Sequence, residues 1–301
     1  MRRILSALAI VVWLASRLSA QTQDLILPVA LNGYTAPPTH YQTIIRIVNM
    51  SANAVQVTLE AYSNDGTPVR ILELFPIARA GTKTVFDIAA GGSIEAFTAE
   101  DVPPLNGWIR LTYAASATIQ ATAEVALISA AVGPHPICVR PSTDIITTAQ
   151  IAATGAAQKF SAFAVVRPYR KTGYALVNPS TSQTATVFLS LLDFSGTLVA
   201  SAMVSLPPQW RISRFIQEFM PAAPSDFMGS FRVTSTIPVA LGAVNVLFPE
   251  GEFTNVNVAS TAVAACVQVI APARNPLTGE CRAFPTPCDV PDGWITTSAC
   301  N

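Results

Sequence analysis

Hydrophobic and polar residues alternate along much of the chain with the period of two that is typical of a β-strand. Within residues 55–61, every odd position is apolar and every even position is polar, which puts the apolar side chains on one face. Asn64-Asp65-Gly66 follows and predicts a tight turn, because an Asp-Gly pair supplies the positive φ of a hairpin. Similar short strands recur every 8 to 12 residues or so. The pattern predicts an all-β chain of antiparallel sandwiches, with one short helix or 3₁₀ turn at residues 213–220.

Two stretches of the chain repeat one another. Val48-Asn49 aligns with Val177-Asn178, and Val55 aligns with Ala185 only after one residue is inserted in the polar segment between them. An insertion inside a strand would turn its buried face to water, so an insertion confined to a turn is expected of two copies of one β-fold. Later in each copy, GWIRLT at 107–112 matches GSFRVT at 229–234. The repeat predicts two tandem, immunoglobulin-like antiparallel β-sandwiches.

This reading divides the chain into five parts. The small, alanine-rich segment between the copies predicts a linker, and the composition shifts again where the cysteines begin. The parts are a signal peptide at 1–20, a first β-sandwich domain at 24–146, a linker at 147–158, a second β-sandwich domain at 159–262 and a Cys-rich tail at 263–301.

The second copy also resembles a known group of proteins. The motifs involved are VNPS at 177–180, SGT at 195–197, LPP at 206–208, RFIQEFMP at 214–221 and GEFTNVNV at 251–258. They resemble β-sandwich repeats of exported, often uncharacterised bacterial proteins that are common in Acidobacteria-like genomes. The stretch at 275–294 resembles the tails of short exported bacterial proteins. The resemblance implies a fold and export, and it implies no activity.

The first twenty residues predict export. They begin with the two arginines Arg2 and Arg3, continue with an apolar run from Ile4 to Ala15 and end in the small-residue sequence Leu18-Ser19-Ala20, which is the organisation of a secretory signal peptide. An uncleaved membrane anchor is the alternative, and it needs about twenty apolar residues. We therefore expect a secreted, periplasmic or cell-surface protein with no membrane span after cleavage.

The charge of the chain bears on its partners. Charged residues make up 12% of the sequence, with 18 basic and 18 acidic side chains. No basic stripe is present of the kind that neutralises phosphates, so we expect no nucleic-acid partner. An unknown protein or carbohydrate surface is the expected partner.

Four of the five cysteines, Cys266, Cys281, Cys288 and Cys300, lie in the tail. In an oxidising compartment they are expected to form two disulfides, and three pairings are open. Cys266 with Cys288 or Cys281 is slightly favoured, with Cys300 fastening the end. A zinc site is the alternative, but structural zinc sites use close Cys pairs, so no metal is expected. Cys138 is expected to be a small buried side chain, with pairing to another chain as the alternative.

The sequence contains no recognisable catalytic motif. Its two histidines, His40 and His135, lie in Pro-containing loops without a nucleophile beside them, and neither a nucleophile elbow nor a P-loop occurs. We therefore expect the protein to have no enzymatic activity and to bind no cofactor. Trp108, Trp210 and Tyr174 are weak candidates for a binding face, and filling the sandwich cores is the alternative role.

These observations predict a non-catalytic exported protein with a structural or interaction role, such as adhesion or association with the envelope. The alternative is a secreted protease-inhibitor-like or accessory module that acts through the Cys-rich tail, where Pro285, Pro287 and Pro291 would stiffen an exposed loop. An extracellular hydrolase is the third hypothesis.

Overall fold

Nearly all the regular structure of the protein is β-strand. The computed structural model describes residues 21–36, 39–69, 81–98, 105–129, 145–249, 251–261 and 268–300. These residues form two eight-stranded antiparallel sheets and one three-stranded sheet, which confirms the predicted all-β class. No helix in these ranges has the length and apolar character that a bilayer crossing requires. The predicted signal peptide, Cys138 and Cys266 lie outside the described residues.

The first sheet is formed by residues 22–152. Its strand order is β4-β3-β6-β1-β2-β7-β8, and β5 pairs with β2. The strands are β1 Thr22–Ala36, β2 Thr39–Asn49, β3 Val55–Ser63, β4 Lys83–Ile88, β5 Ser93–Phe97, β6 Leu105–Ala114, β7 Ile119–Ser129 and β8 Ile145–Ala152.

Strand β1 makes this sheet curl. It pairs with β6 from Thr22 to Asn32 and with β2 from Gly33 to Ala36, so one strand joins the two halves of the sheet. The apolar residues predicted to alternate along 55–61 are buried between those halves, together with side chains from β1, β2, β6 and β7. The period-two pattern therefore produces a single enclosed core.

The second sheet has the strand order β12-β11-β14-β10-β9-β16, with β13 on β10 and β15 on β14. A four-residue helix, α1, at Ile216–Phe219 follows β13, so the predicted helical turn is confirmed and is shorter than expected. The strands are β9 Ala157–Arg167, β10 Arg170–Val177, β11 Ala185–Leu192, β12 Leu198–Leu206, β13 Arg211–Phe215, β14 Phe227–Leu247, β15 Glu252–Asn255 and β16 Val258–Ser260.

Strand pairings correspond between the two sheets. Strand β6 pairs with β3, and β7 pairs with β2; the 21-residue strand β14 makes both kinds of pairing, with β11 and with β10. Even the register agrees, because Glu60 lies opposite Arg110 and Ser190 lies opposite Arg232. A glycine lies three residues before each of these arginines, at 107 and at 229. Glycine is required there for steric reasons, because a Cβ at Gly107 or Gly229 would collide with a main-chain carbonyl of the neighbouring strand.

One buried asparagine in each sheet makes the same hydrogen bonds. Asn49 and Asn178 are fully buried, and each Nδ2 donates to three main-chain carbonyls while Oδ1 accepts an N–H two residues later. The three acceptors are Asn53, Ile88 and Ala89 for Asn49, and Gln183, Leu206 and Pro207 for Asn178. The first acceptor lies four residues after Asn49 and five residues after Asn178.

The prediction of a linker at 147–158 is wrong for most of that range. Residues 147–152 belong to β8, which pairs with β7, and β9 begins at Ala157. The physical reason is packing, because Ala149 and Ile151 are buried. The small residues that suggested a linker instead allow β8 to lie close to its neighbours.

The tail forms the three-stranded sheet β18-β17-β19, from β17 Ala271–Arg274, β18 Cys281–Phe284 and β19 Ile295–Thr296. A 3₁₀ turn at Pro287–Asp289 separates the last two strands. Phe284 and Trp294 contact Phe188 of the second sheet edge to face, with ring centroids 5.6 and 6.1 Å away. The tail is therefore docked on the second sheet.

Disulfides tie the tail, as predicted, but one favoured pairing is wrong. Cys281 is bonded to Cys300, which excludes a bond between Cys281 and Cys266. Cys288 is also disulfide-bonded. These three cysteines are therefore not thiolate ligands of a zinc ion.

Candidate functional site

Trp108 lies where the two sheets meet. Its side chain is fully buried, stacks on Tyr62 with ring centroids 4.4 Å apart and packs in a cluster with Val177 of the second sheet. The indole Nε1 donates to the carbonyl of Gln209 at 3.0 Å. An aromatic ring satisfied in this way belongs to a junction between sheets rather than to an exposed binding face.

Arg110 adds to the same junction. Its guanidinium lies over the rings of Trp108 and Tyr62, 5.4 and 5.6 Å from their centroids, and donates to the carbonyl of Pro179 in the second sheet. Asp24 lies 3.7 Å from Nε. The predicted equivalent is Arg232, and in both arginines Nε is buried without a hydrogen-bond partner among the described residues.

Arg211 crosses from the second sheet into the first. Its Nε donates to the carbonyl of Pro28 at 2.7 Å, and Nη1 donates to the side-chain oxygens of Asn64 and Asn106 at 2.8 and 2.6 Å. All three acceptors are neutral, and the residue is only 4% exposed. Burial lowers the pKa of this guanidinium from 12.5 to about 10, which leaves it charged at neutral pH.

A second set of contacts joins β8 to β15. Phe253 N–H donates to Thr147 Oγ1 at 2.8 Å, and Gln150 N–H donates to Asn255 Oδ1 at 2.7 Å. The ring of Phe253 stacks on Tyr41 with centroids 5.9 Å apart. The two sheets are therefore joined both at Trp108 and Arg211 and at the β8–β15 contact.

A cleft of about 520 Å³ lies at this junction, within the size range of small-molecule sites, roughly 300 to 1,000 Å³. Its apolar surface comes from both sheets and includes the buried cluster of Val29, Val125, Ile151 and Ala175, with Leu31, Tyr41, Val244 and Phe253 packed against it. We call it the junction cleft. The residues that line it are Val29, Leu31, Tyr41, Asn106, Val125, Ala149, Ile151, Gly173, Tyr174, Ala175, Arg211, Ser213, Arg214, Phe215, Glu218, Gly242, Ala243, Val244, Val246, Phe248, Gly251 and Phe253.

Polar groups are concentrated where β13 and α1 border the cleft. Ser213, Arg214 and Glu218 are exposed there. Glu218 accepts a hydrogen bond from Phe215 N–H at 2.7 Å, which satisfies a main-chain donor at the start of α1. The cleft thus combines apolar walls with a small polar border, the usual composition of a ligand site.

The structure separates the three predicted binding aromatics. Trp108 is buried in the junction, and Tyr174 is buried against Phe231 with its hydroxyl donating to the carbonyl of Phe163 at 2.6 Å. Trp210 is 44% exposed. Trp108 and Tyr174 therefore cannot form an exposed face with Trp210. Tyr174 belongs to the buried core of the second sheet and also lines the junction cleft.

Arg211 is not predicted from the sequence and lies in the strand region preceding the predicted helical turn. Its contacts come from Pro28, Asn64 and Asn106, which are far from it in sequence. A usable signal was the arginine in RIS at 211–213, because it interrupts a stretch whose register with β10 buries one face.

No protein-family model, curated protein or solved structure matches the chain. Among the described residues, no group of three or more His, Cys, Asp or Glu side chains is arranged to hold a metal ion. The resemblance to exported bacterial repeat proteins stays a prediction, and the junction cleft is the feature from which a function can be inferred.

Proposed function

We propose that the chain is an exported, non-catalytic binding protein that receives its ligand in the junction cleft. The observation that carries the proposal is an apolar cleft that both sheets line, at a junction where they are joined in two places. A small number of fixed contacts, at Trp108, Arg211 and the β8–β15 pair, hold the cleft walls together. Such a preformed site costs little ordering entropy on binding.

The matching strand pairings and the paired asparagines support an origin by duplication of one sheet-forming unit. In this proposal the two immunoglobulin-like copies gained a joint function by packing together, because the cleft needs residues from both. The predicted signal peptide and the Cys281–Cys300 disulfide support a site of action outside the cytoplasm. Amino-terminal sequencing of the mature protein from a producing cell tests export, and cleavage before Gln21 is the expected result.

A neutral fluorescent probe tests the binding function. N-phenyl-1-naphthylamine emits strongly only in an apolar site, so we expect saturable emission with the purified mature chain. Gly173→Ile fills the cleft: Gly173 lines it, and an added Cβ meets ordinary contacts at 3.6 Å on the ring of Phe215. The variant should lose the signal.

Gly155→Ile is the matched control, because a Cβ at Gly155 meets nothing within 4 Å and this residue does not line the cleft. Its emission should equal that of the unaltered chain. Equal emission from the Gly173→Ile variant would place the probe elsewhere and contradict the proposal.

The tail supports a second candidate function, inhibition of a protease by a rigid loop. Asn275 anchors the loop between β17 and β18: Nδ2 donates to Ser201 Oγ at 2.8 Å and Oδ1 accepts the N–H of Leu277 at 2.9 Å. Leu277 itself is 49% exposed. Assay of a protease panel with the full chain and with a chain ending at residue 261 distinguishes the candidates, since only inhibition through the tail would disappear.

A further inference from the structure

Arg211 has one nitrogen left to donate. Nε and both protons of Nη1 are engaged by Pro28, Asn64 and Asn106. Within the described residues, Nη2 has no hydrogen-bond acceptor and no carboxylate lies within ion-pair distance of the guanidinium. Because Arg211 also lines the junction cleft, an unneutralised cation borders a largely apolar space.

The other charges at the cleft balance one another. Arg214 and Glu218 are both exposed on its border and have opposite signs. The charge that remains is that of Arg211, and it is the buried one. A buried charge without a counter-ion is costly to the fold, and a ligand that supplies the anion removes that cost.

The rest of the cleft suits a hydrocarbon chain. Val29, Val125 and Ile151 from the first sheet face Ala175 and Val244 from the second. None of these side chains offers a hydrogen bond, so a sugar or a peptide backbone would lose its hydrogen bonds with water against them. An alkyl chain loses none and gains from burial.

We infer that the junction cleft binds a single-chain amphiphile with a carboxylate headgroup, whose oxygen accepts from Nη2 of Arg211 while the alkyl chain lies between the two sheets. The inference rests on the proposed binding function and names its ligand class. A carboxylate matches the single cation, whereas a phosphate monoester carries about two negative charges at neutral pH. Since Arg211 keeps its proton well above neutral pH, the match holds in any ordinary medium.

Calorimetric titration of the full mature chain with three ligands of equal chain length tests the headgroup. The ligands are dodecanoate, dodecanol and dodecyltrimethylammonium, each below its micelle concentration. We expect dodecanoate to bind at least about tenfold more tightly than dodecanol, because a hydrogen bond to a charged partner contributes that much. The ammonium should bind most weakly, because its charge repels Arg211.

A chain-length series from octanoate to tetradecanoate tests the position of the alkyl chain. Each added methylene that is buried should tighten binding about fourfold, until the cleft is filled. The Gly173→Ile variant should reach that limit with a shorter alkyl chain. The Gly155→Ile variant should show the same dependence on alkyl-chain length as the unaltered protein.

The Arg211→Gln variant tests the contact itself. The preference for dodecanoate over dodecanol should disappear while dodecanol binding is kept. Arg274→Gln, a change at an exposed arginine of β17 that does not line the cleft, should keep the preference. If Arg211→Gln does not fold, the headgroup comparison on the unaltered chain still decides the inference.

The outcomes separate this inference from the proposed function. Tighter binding of dodecyl phosphate than of dodecanoate, titrated in the same way, overturns the carboxylate assignment in favour of another anion. Equal affinity for all three headgroups overturns the assignment of an anionic headgroup and leaves an apolar binding protein. Absence of dodecanoate binding, with N-phenyl-1-naphthylamine still bound in the cleft, has the same effect. Failure of that neutral probe as well overturns the proposed function.

Discussion

Gly91 and Gln209 occupy equivalent places in the two sheets and share a left-handed backbone, with φ of 65° and 61°. The equivalence follows from the next residue, because the carbonyl of Gly92 accepts from Asn49 N–H and that of Trp210 accepts from Asn178 N–H. Gln209 is the only non-glycine residue with positive φ in the described ranges. The second sheet therefore holds a side chain where the first uses glycine, at the residue whose carbonyl Trp108 binds.

Exchanging residues at these two positions should have unequal effects. Gly91→Ala should destabilise the protein by about 1 kcal/mol, because the left-handed region disfavours a Cβ even though nothing lies within 4 Å of it. Gln209→Gly keeps the carbonyl that Trp108 uses and should change the free energy of unfolding by less than about 0.5 kcal/mol, since relief of strain offsets the entropy of glycine. Urea denaturation measures both. A Gln209→Gly cost above that of Gly91→Ala would show that the side chain of Gln209 matters more than its backbone.

Gly242 is needed for the close approach of β14 to β1. A Cβ there would lie 2.5 Å from Cγ of Pro28, and the proline ring cannot move aside. Gly242→Ala should therefore destabilise the protein by about 1 to 3 kcal/mol through overpacking, measured by thermal or urea unfolding.

Gly173→Ala is the matched control for this change, because its nearest contact at 3.6 Å is ordinary. The double variant Gly242→Ala with Pro28→Ala should recover part of the loss. Strictly additive effects would mean that the two residues do not constrain one another.

The paired asparagines should be equally important. Replacing Asn178 by Ala leaves three main-chain carbonyls without their donor, and the contact to Leu206 is fully buried. We therefore expect a loss of about 2 to 3 kcal/mol, and a similar loss for Asn49→Ala. Asn53→Ala is the control, because Asn53 is exposed and takes part through its main chain. Denaturant midpoints compare the three variants. An unchanged midpoint for Asn178→Ala would show that water replaces the amide.

Asp65 makes the turn after β3 sensitive to acid. The hydroxyl of Ser63 and then the N–H of Thr67 lower its pKa from 3.8 to about 2. A folded-state pKa below the unfolded value means that the carboxylate contributes stability above about pH 4 and loses it as the pH falls through about 2. The difference in Tm between the unaltered chain and Asp65→Ala should therefore be constant down to about pH 4 and then close.

Ser63→Ala supplies the control for this pH dependence, since it removes the largest cause of the shift and should move the closing point to higher pH. The equivalent turn of the second sheet has Asp193 at the place of Ser63 and Ser195 at the place of Asp65. Asp193 accepts a hydrogen bond from Ser195, and the pKa of Asp193 is also lowered. A Tm difference that ignores pH would contradict the role of the carboxylate.

The disulfide between Cys281 and Cys300 should stabilise the tail alone. It closes a separation of 19 residues, and loop-closure entropy for that length contributes about 3 kcal/mol. In the variant that carries Cys281→Ser and Cys300→Ser, we expect faster hydrogen exchange in β17, β18 and β19 and unchanged exchange in β10 and β11. Faster exchange throughout the second sheet would mean that the docked tail supports its core.

Local patterns were sufficient to predict much of the fold. The alternation at 55–61 and the turn at Asp65-Gly66 each describe neighbouring residues, and the structure contains both. The linker was mispredicted because Ala149 and Ile151 have a composition that fits either a loose segment or a closely packed strand. The tail disulfide could be predicted, whereas its pairing depends on how three short strands meet.

The candidate site could not be predicted for a different reason. Arg211 depends on Pro28, Asn64 and Asn106, and no local pattern brings residues so far apart in sequence together. The sequence makes Trp108 a weak candidate for a binding face, yet the side chain is fully buried. Whether an aromatic ring lies at a junction or on a face is decided by the position of the other sheet.

The full burial of Trp108 has a consequence for anyone who wishes to divide this molecule. A fragment ending near residue 156 would expose the indole, the ring of Tyr62 and the side chain of Ile26 to solvent. An exposed apolar patch of this kind promotes aggregation of the fragment. Soluble material is best sought by expressing both halves as one polypeptide.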